Sequence, residues 1–446
     1  MRIALPDPAG FTECFSDISS VKVDSDIMGI TIDSRNVKPG DLYIALSGLR
    51  NDGHNFVPDV ELEGCSAALV SEIQKECKTI QQIRVDDPLT TIGQTASLWR
   101  ENIDIPVIGI TGTNGKTSTK ELIKHVLNGN MNVHATKGNY NTSIGVPLTL
   151  LTMTSSHEIS ILELGANQKG DIRYLCELTK PNHGLITNIA PAHLEGFGSV
   201  EEIAKEKGEL FLSLNNGFAF INKADEKISA LPSSGEKITY GLTPTCDFPA
   251  DIISENDGSL TLIIDSEEIS TDSRNLTFFK NVIAAASVSI TLGIEWNVFR
   301  ERITTFDHPK GRCQVKQINS ITVIDDTYNA NLESTIAALD YLMAFGGNGR
   351  KIFIFGDMFE LGQDTELHHR KIGEKCKQSA LDAVYLLGEK TIFTDMELNS
   401  SIKHRHYSSK NELITSLKDS FKEGDKILFK GSRGMAMETV IQGIFH

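Results

Sequence analysis

The 446-residue sequence has no stretch approaching the roughly 18 consecutive apolar residues of a membrane span. Its seven cysteines, Cys14, Cys65, Cys77, Cys176, Cys246, Cys313 and Cys376, are odd in number and never spaced as CxxC. That excludes a zinc ribbon and a disulfide framework and points to a reducing compartment. Cations are in short supply: 43 Lys and Arg against 59 Asp and Glu leave a net charge of −16. General binding to nucleic acid or anionic lipid needs a cationic face, so both partner classes are disfavoured. A phosphorylated substrate is not, because a few local cations and helix N-termini can hold one. Neither GxSxG nor HExxH occurs, which removes the commonest hydrolase and zinc-protease readings. The opening MRIALPDPAGF places Pro and Asp where a signal peptide needs an apolar run, so a cytoplasmic location is expected.

What is present is ordinary in bulk, with 40% apolar and 23% charged residues. At roughly 150 residues per domain the length suggests about three domains. The segment 1–104 has short apolar runs, ITID and DLYIAL, broken by turns at Pro39-Gly40 and Asp52-Gly53, which suggests a small α/β unit. Segment 105–307 begins with a buried strand, PVIGI, a Gly-rich loop and a helix ending at Gly129. It continues with the β-rich runs ISILELG and HGLITNI and helical stretches at 170–179 and 199–214. After Asn222 the pattern turns hairpin-like around Asp257-Gly258, and a helix is expected over Asn281–Leu292. Asp307 to Gly311 reads as a linker, and segment 308–446 alternates strand and helix again. The expected fold is α/β in three domains: a small N-terminal domain, a central P-loop ATPase-like parallel sheet with helices, and a C-terminal Rossmann-like doubly wound domain.

The strongest chemical signal is Gly112-Thr113-Asn114-Gly115-Lys116-Thr117 between a strand and a helix. The backbone N–H groups of such a loop cradle phosphates, the lysine reaches the β- and γ-phosphates, and the threonine hydroxyl can ligate Mg²⁺. The strict pattern GxxxxGK[ST] requires glycine at position 110, where this chain has Ile110. Glu163 ends a strand where a second metal-binding carboxylate would sit. His193 follows another strand and could ligate a metal. Lys205 and Lys207 read by default as a solvated helix face. Asp325 to Asn331, after the strand ITVI, suit a ribose and a base. Lys430-Gly431-Ser432-Arg433 places two cations at another strand end, where an anionic substrate could dock. His368 and His369 are adjacent on a helix, cannot share a metal, and are expected on the surface.

Together the motifs resemble the Mur ligase family, ATP-dependent amide-forming enzymes of peptidoglycan synthesis. The central markers are GTNGKTSTKE, GNYNTSIGVPLTLL, ELGANQKGDI, NIAPAHLEGFG and AKEKGELF. Within the family, DSRNVKPGDLYIALSGLRNDGHNFV, DDTYNANLES and GDMFELG resemble the branch that adds D-alanyl-D-alanine to UDP-N-acetylmuramoyl-tripeptide. The DNPR-type motif of the branch adding the third amino acid is absent. The resemblance implies that Gly112, Thr113, Asn114, Gly115, Lys116 and Thr117 hold ATP, with Lys116 catalytic. It implies one Mg²⁺ on Thr117 and Glu163, and a second on His193 with a carbamylated lysine. Lys207 matches that lysine because the family's modified residue stands four positions before an aromatic, here Phe211. Asn281 would contact adenine, Asp326, Tyr328 and Asn329 would enclose base and ribose, and Arg312 would reach the phosphates. Ser34 and Arg35, with Asn141, Thr142 and Ser143, would contact the UDP-linked substrate, and Lys430, Ser432 and Arg433 would meet an anionic substrate. One departure is visible: the family's His-Asn after a Gly-rich turn is here Phe279-Lys280-Asn281. The implied partners are the two substrates alone, with no nucleic acid or membrane, and a monomer suffices. A folylpolyglutamate-type or other Mur-type ligase would share the central domain but not the N-terminal motif or GDMFELG. A non-catalytic nucleotide-binding switch would use the loop without keeping Glu163, His193 and Lys207 together.

Overall fold

Short apolar runs bounded by turn residues become the strands of three sheets, each drawn from one consecutive part of the chain. The computed structural model describes all residues except 49, 50, 193, 256, 257, 272, 399, 401 and 446. In the first sheet β1 (Arg2–Ala4), β2 (Gly29–Thr31), β3 (Asp41–Ile44), β4 (Ala67–Val70) and β5 (Gln81–Arg84) pair in that order. Only β1 is antiparallel to its neighbour.

The second sheet contains β6 (Val107–Thr111), β7 (Val133–Ala135), β8 (Ile159–Glu163), β9 (His183–Ile186) and β10 (Phe218–Asn222). It extends through β11 (Glu236–Gly241), β12 (Phe248–Ser254), β13 (Leu260–Ile264) and β14 (Glu267–Ser270). The order is β14-β13-β12-β11-β10-β9-β6-β8-β7. Every residue of β6, β8 and β9 is buried, as expected of parallel strands covered on both faces. The hairpin begins later than the sequence suggests: β10, β11 and β12 still pair in parallel, and antiparallel pairing starts between β12 and β13. Residue 257 of the expected turn lies outside the described residues. The helix expected from Asn281 starts earlier, at Leu276, because the Asn275 side chain accepts the Thr277 and Phe278 N–H groups at 3.0 and 3.2 Å and caps it.

The third sheet has the order β15-β16-β20-β17-β18-β19. Its strands are β15 (Gln314–Ile318), β16 (Ile321–Asp326), β17 (Lys351–Gly356), β18 (Ala383–Leu387), β19 (Lys403–Tyr407) and β20 (Lys426–Lys430). All but the edge strand β15 run parallel to their neighbours. The first two sheets share one apolar core that runs from Phe11, Leu42 and Trp99 through Leu150 to Leu210 and Phe211, whereas the third sheet has its own core on each face. Arg100 reinforces that joint, its guanidinium donating to the carbonyls of Ile103, Ile105 and Thr179 at 2.6, 3.1 and 3.2 Å.

The expectation of a surface His368-His369 pair is corrected by the structure: both are buried. Helix Thr365–Gln378 packs this face inward, and His369 Nε2 accepts the Met358 N–H at 3.1 Å while Nδ1 donates to the Thr365 carbonyl at 2.8 Å. Burial pushes its pKa down, so the imidazole stays neutral. GDMFELG contains an equally structural residue. The buried Asp357 carboxylate accepts the N–H groups of Glu389, Lys390 and Thr391 at 2.9, 2.9 and 2.8 Å. Gly388 faces it at φ +121°, where a Cβ would lie 2.4 Å from the carboxylate. Asp357→Ala would strand three backbone donors, that of Thr391 buried, and is expected to cost about 3 kcal/mol. An unchanged urea midpoint for that variant would contradict this role.

Candidate active site

In the second sheet β6 lies between β8 and β9, so the chain leaves its carboxyl end at a point where strand order reverses and a crevice opens. The phosphate-type loop forms there. Ile110 occupies the place of the missing glycine because it is a fully buried residue of β6, and Gly112 opens the turn instead. Gly112 has φ +142°, and a Cβ on it would sit 1.9 Å from Thr187 Oγ1. Gly115, at φ +81°, caps helix Lys116–Leu127 and would press a Cβ to 2.8 Å from Asn281 Oδ1.

The end of β9 holds this loop. Thr113 N–H donates to the Asn188 carbonyl at 2.9 Å, and Asn114 N–H to Asn188 Oδ1 at 2.7 Å. Thr187 Oγ1 donates to the Asn114 carbonyl at 2.6 Å. Lys116 Nζ curls back onto the carbonyls of Gly112 and Thr113 at 2.8 and 3.2 Å. Burial lowers its pKa; Glu163 works against that shift and Arg312 adds to it.

Thr117 Oγ1 donates to Glu163 Oε2 at 2.7 Å, and Asn141 Nδ2 donates to Glu163 Oε1 at 2.8 Å. Arg312, from the last third of the chain, donates to the same Thr117 hydroxyl at 2.8 Å and lies 3.9 Å over the Tyr328 ring. At the carboxyl ends of β16 and β20, Lys430 Nζ meets Asp326 Oδ2 at 2.5 Å and the Asn329 carbonyl at 3.0 Å. Asn331 Nδ2 donates to Asn114 Oδ1 at 2.7 Å, so the third sheet's unit touches the loop directly.

A cleft of about 520 Å³ results, walled by Thr113, Asn114, Gly115, Lys116, Thr117, Asn141, Thr142, Glu163, Asn281, Arg312, Asp326, Tyr328, Asn329 and Lys430. A second cavity of about 430 Å³ adjoins it and shares Asn114, Gly115 and Asn281, with Tyr240, Leu242 and Ala284 as apolar walls. Gly112 contributes its carbonyl to Lys116. Ser143, Ser432 and Arg433 are not among the walls; Ser432 instead accepts the Phe359 N–H at 2.8 Å, and Arg433 pairs with Glu438 at 2.7 Å. Ser34 and Arg35 stand on a short 3₁₀ turn, Ser34–Asn36, away from the cleft, with Arg35 exposed and paired to Asp33 at 2.8 Å. His193 lies outside the described residues.

The two lysines of AKEKGELF part company on helix Val200–Leu212. Lys205 is exposed and pairs with Glu202 at 2.7 Å. Lys207 is buried, which corrects the solvated-face reading, and burial together with the charge of Lys116 pushes its pKa down to about 7 against the pull of Glu206. Asn188, Thr187 and Thr136 also shape the site and carry no role in the motif reading; Asn331, read there with the ribose and base segment, contacts the loop instead.

The donor set suits a polyphosphate with a hard cation. Thr117 and Glu163 offer oxygens, and Mg²⁺ characteristically takes one or two protein oxygens and fills its remaining positions with phosphate and water. No group of three or more His, Cys, Asp or Glu that could hold a metal occurs among the described residues. Lys116, Lys280, Arg312 and Lys430 line the cleft and bring cations together in a chain that is acidic as a whole.

Comparison with known proteins fits this geometry. The Mur ligase middle domain matches residues 110–289, the Mur ligase, glutamate ligase domain matches 311–433, and the Mur ligase family, catalytic domain matches 26–99. A Synechocystis protein named UDP-N-acetylmuramoyl-tripeptide--D-alanyl-D-alanine ligase is 32% identical over 452 residues, covering 99% of this chain and 97% of its own. Crystal structure I of MurF from Acinetobacter baumannii has a TM-score of 0.87 at 28% identity, covering 97% of this chain and 98% of that one. MurF ligase from Thermotoga maritima in complex with ADP has a TM-score of 0.81 at 27% identity, over 93% of this chain and 96% of that one. With three family domains in sequence and near full-length similarity, the chain belongs to the Mur ligase family.

Proposed function

We propose that this chain is an ATP-dependent, ADP-forming ligase that joins D-alanyl-D-alanine to UDP-N-acetylmuramoyl-tripeptide, giving the UDP-linked pentapeptide precursor of peptidoglycan. The observation that carries this reading is the convergence on one hydroxyl: Thr117 meets Glu163 from the second sheet and Arg312 from the last third of the chain. It occurs in a chain similar along nearly its whole length to a ligase of that name. The three units correspond in this reading to residues 1–104 for the UDP-peptide, 105–307 for ATP and 308–446 for closing the site. No helix among the described residues is long and apolar enough to cross a membrane. In this reading the enzyme works in the cytoplasm as a monomer on water-soluble substrates.

A carboxylate is inert toward an amine at neutral pH, so the tripeptide's terminal carboxylate first attacks the γ-phosphate of ATP, releasing ADP and leaving an acyl phosphate. The free amine of D-alanyl-D-alanine then attacks the acyl carbon, and the tetrahedral intermediate collapses to amide and phosphate. The loop N–H groups and Lys116 hold the phosphates, Arg312 adds a second cation, and Asn281, Tyr328 and Asn329 stand where base and ribose fit. Thr117 and Glu163 would hold Mg²⁺, which offsets charge on the transferring phosphoryl group. A second site would use His193 and a carbamate on Lys207, whose lowered pKa leaves the amine free to accept CO₂. Ser34, Arg35, Asn141, Thr142 and Ser143 would face the UDP-peptide, and Lys430, Ser432 and Arg433 an anionic group of substrate.

A panel of amine acceptors offered with UDP-tripeptide and ATP, read by mass spectrometry, tests the proposal. The pentapeptide should form with D-alanyl-D-alanine, and phosphate release should require both peptide substrates. No product with D-alanyl-D-alanine, or phosphate released from ATP alone, would overturn it.

A further inference from the structure

Lys120 lies one helical turn beyond Lys116, and nothing in the reaction uses it. It is nevertheless fully buried, an unusual place for an ammonium. Leu122, Ile123, Val126 and Leu127 bury the same helix in apolar core, where a methionine or leucine would avoid the desolvation that a buried cation suffers. The ammonium has two partners. Its Nζ donates to the Thr136 carbonyl and pairs with Glu121 Oε1 at 2.7 Å.

Thr136 is itself a junction. It is buried, its N–H donates to the Ile161 carbonyl of β8 at 3.0 Å, and its hydroxyl accepts the Glu163 N–H at 2.9 Å. From Thr136 the chain runs into the loop carrying Asn141, whose Nδ2 holds Glu163 Oε1 at 2.8 Å and whose carbonyl accepts the Gly165 N–H at 2.7 Å. Glu163 is therefore fixed at three points: Oε2 by Thr117, Oε1 by Asn141 and its backbone N–H by Thr136. The first fixing point lies on the helix of Lys120. The other two lie on the segment that Lys120 anchors.

We propose that Lys120 is a positioning residue: by anchoring the Thr136 carbonyl to the phosphate-loop helix, it sets the place of the Glu163 carboxylate and of the Asn141 loop relative to Lys116 and Thr117. This rests on the ligase reading, in which Glu163 binds the divalent cation and the Asn141 loop faces the UDP-peptide. A buried ammonium suits the task because it can bind a carbonyl of a different segment and a carboxylate at once, which no apolar side chain can do.

The test compares Lys120→Met, of similar length without the charge, with Thr136→Val, which keeps the shape and removes the hydroxyl, and with Thr136→Ser, which restores it. Mn²⁺ binding in the presence of ADP, followed by electron paramagnetic resonance, reports the cation site without turnover. Steady-state kinetics then report the Mg²⁺ requirement and the KM for each peptide substrate. Lys120→Met and Thr136→Val should weaken Mn²⁺ binding and raise the half-saturating Mg²⁺ by about tenfold, the scale of one misplaced charged hydrogen bond. Both should raise the KM for UDP-tripeptide and leave that for D-alanyl-D-alanine within about twofold, and Thr136→Ser should recover wild-type values. Folded variants with unchanged Mn²⁺ affinity and Mg²⁺ dependence would overturn the proposal and leave Lys120 a purely structural ion pair. Wild-type protein that binds no Mn²⁺ with ADP and forms no product would instead defeat the ligase reading.

Discussion

Lys116→Ala should lower kcat/KM for ligation by about 10³-fold and leave the protein folded. Removing a single preorganised donor aimed at developing charge costs about 10² to 10³ in rate, and Lys116 also neutralises charge on the nucleotide before transfer. The structure gives it little else to do. Among the described residues its ammonium hydrogen-bonds to the carbonyls of Gly112 and Thr113 alone, four and three residues away, so no long-range hydrogen bond depends on it. Burial lowers its pKa, which means the folded protein holds this cation at a cost, as functional sites often do. The unfolding midpoint of the variant should therefore stay level or rise. A second consequence follows from Lys207, whose pKa is held down partly by the Lys116 charge. Without Lys116, Lys207 should recover some basicity and remain cationic at neutral pH, which deepens the loss. Phosphate release assayed with both peptide substrates checks the rate, and thermal denaturation checks the fold. Near-normal turnover would remove the loop from the mechanism.

The sequence made legible those parts of the site whose signals are local. Glycines at 112 and 115 followed by a lysine, between an apolar run and an amphipathic one, specify a strand–loop–helix phosphate site within a few residues. Glu163 was legible because the apolar run ISILE stops on it. Asn188 was not: it sits in NIAPAH as one polar residue after a strand, and only the β6–β9 pairing brings it to Thr113 and Asn114. Asn331 reaches Asn114 from 217 positions away, a contact no local pattern encodes. Lys120 and Lys124 look alike in KELIKHV, yet one is fully buried and the other keeps solvent contact, because this helix is sandwiched between the sheet and helix Leu276–Thr291. Packing against neighbouring helices likewise buries His368 and His369, which the sequence placed on the surface, and Lys207, whose default reading was a solvated face, is buried too. Arg35, which its motif places at the UDP-linked substrate, is exposed and pairs with Asp33. The shared apolar core also changes the meaning of three domains, since the first two units pack against each other through one core besides the cores of their own, whereas the third shares none of its core with them.

Lys207 is expected to make activity depend on CO₂. An ordinary lysine amine is protonated at neutral pH and cannot attack CO₂, but burial and the Lys116 charge push this one down to about 7. Uptake forms a bond from Nζ to the carbon of CO₂ and releases a proton, so it draws on the free base, about a tenth of the lysine at pH 6 and about nine-tenths at pH 8. At equal dissolved CO₂, degassed enzyme should regain activity roughly tenfold faster at pH 8 than at pH 6. A carbamate there would replace repulsion between two ammonium groups by attraction to Lys116, which would favour its retention. Carbon-13 NMR after adding labelled bicarbonate should show one carbamate signal, absent in Lys207→Met. That variant should lose ligation by about 10²-fold or more, the effect of removing a charged ligand from the reacting centre. It should also be more stable than CO₂-free wild type at pH 7. The folded pKa lies below the unfolded value of 10.5, so the unfolded chain binds more protons between about 7 and 10.5. Stability contributed by this position therefore rises with pH through that window, and at its lower end the uncarbamylated lysine costs the fold a few kcal/mol. Methionine removes that cost. A CO₂-free wild type with full activity, or a Lys207→Met variant that is less stable at pH 7 and equally stable at pH 10, would show that the amine is a structural cation and not a carbamate carrier.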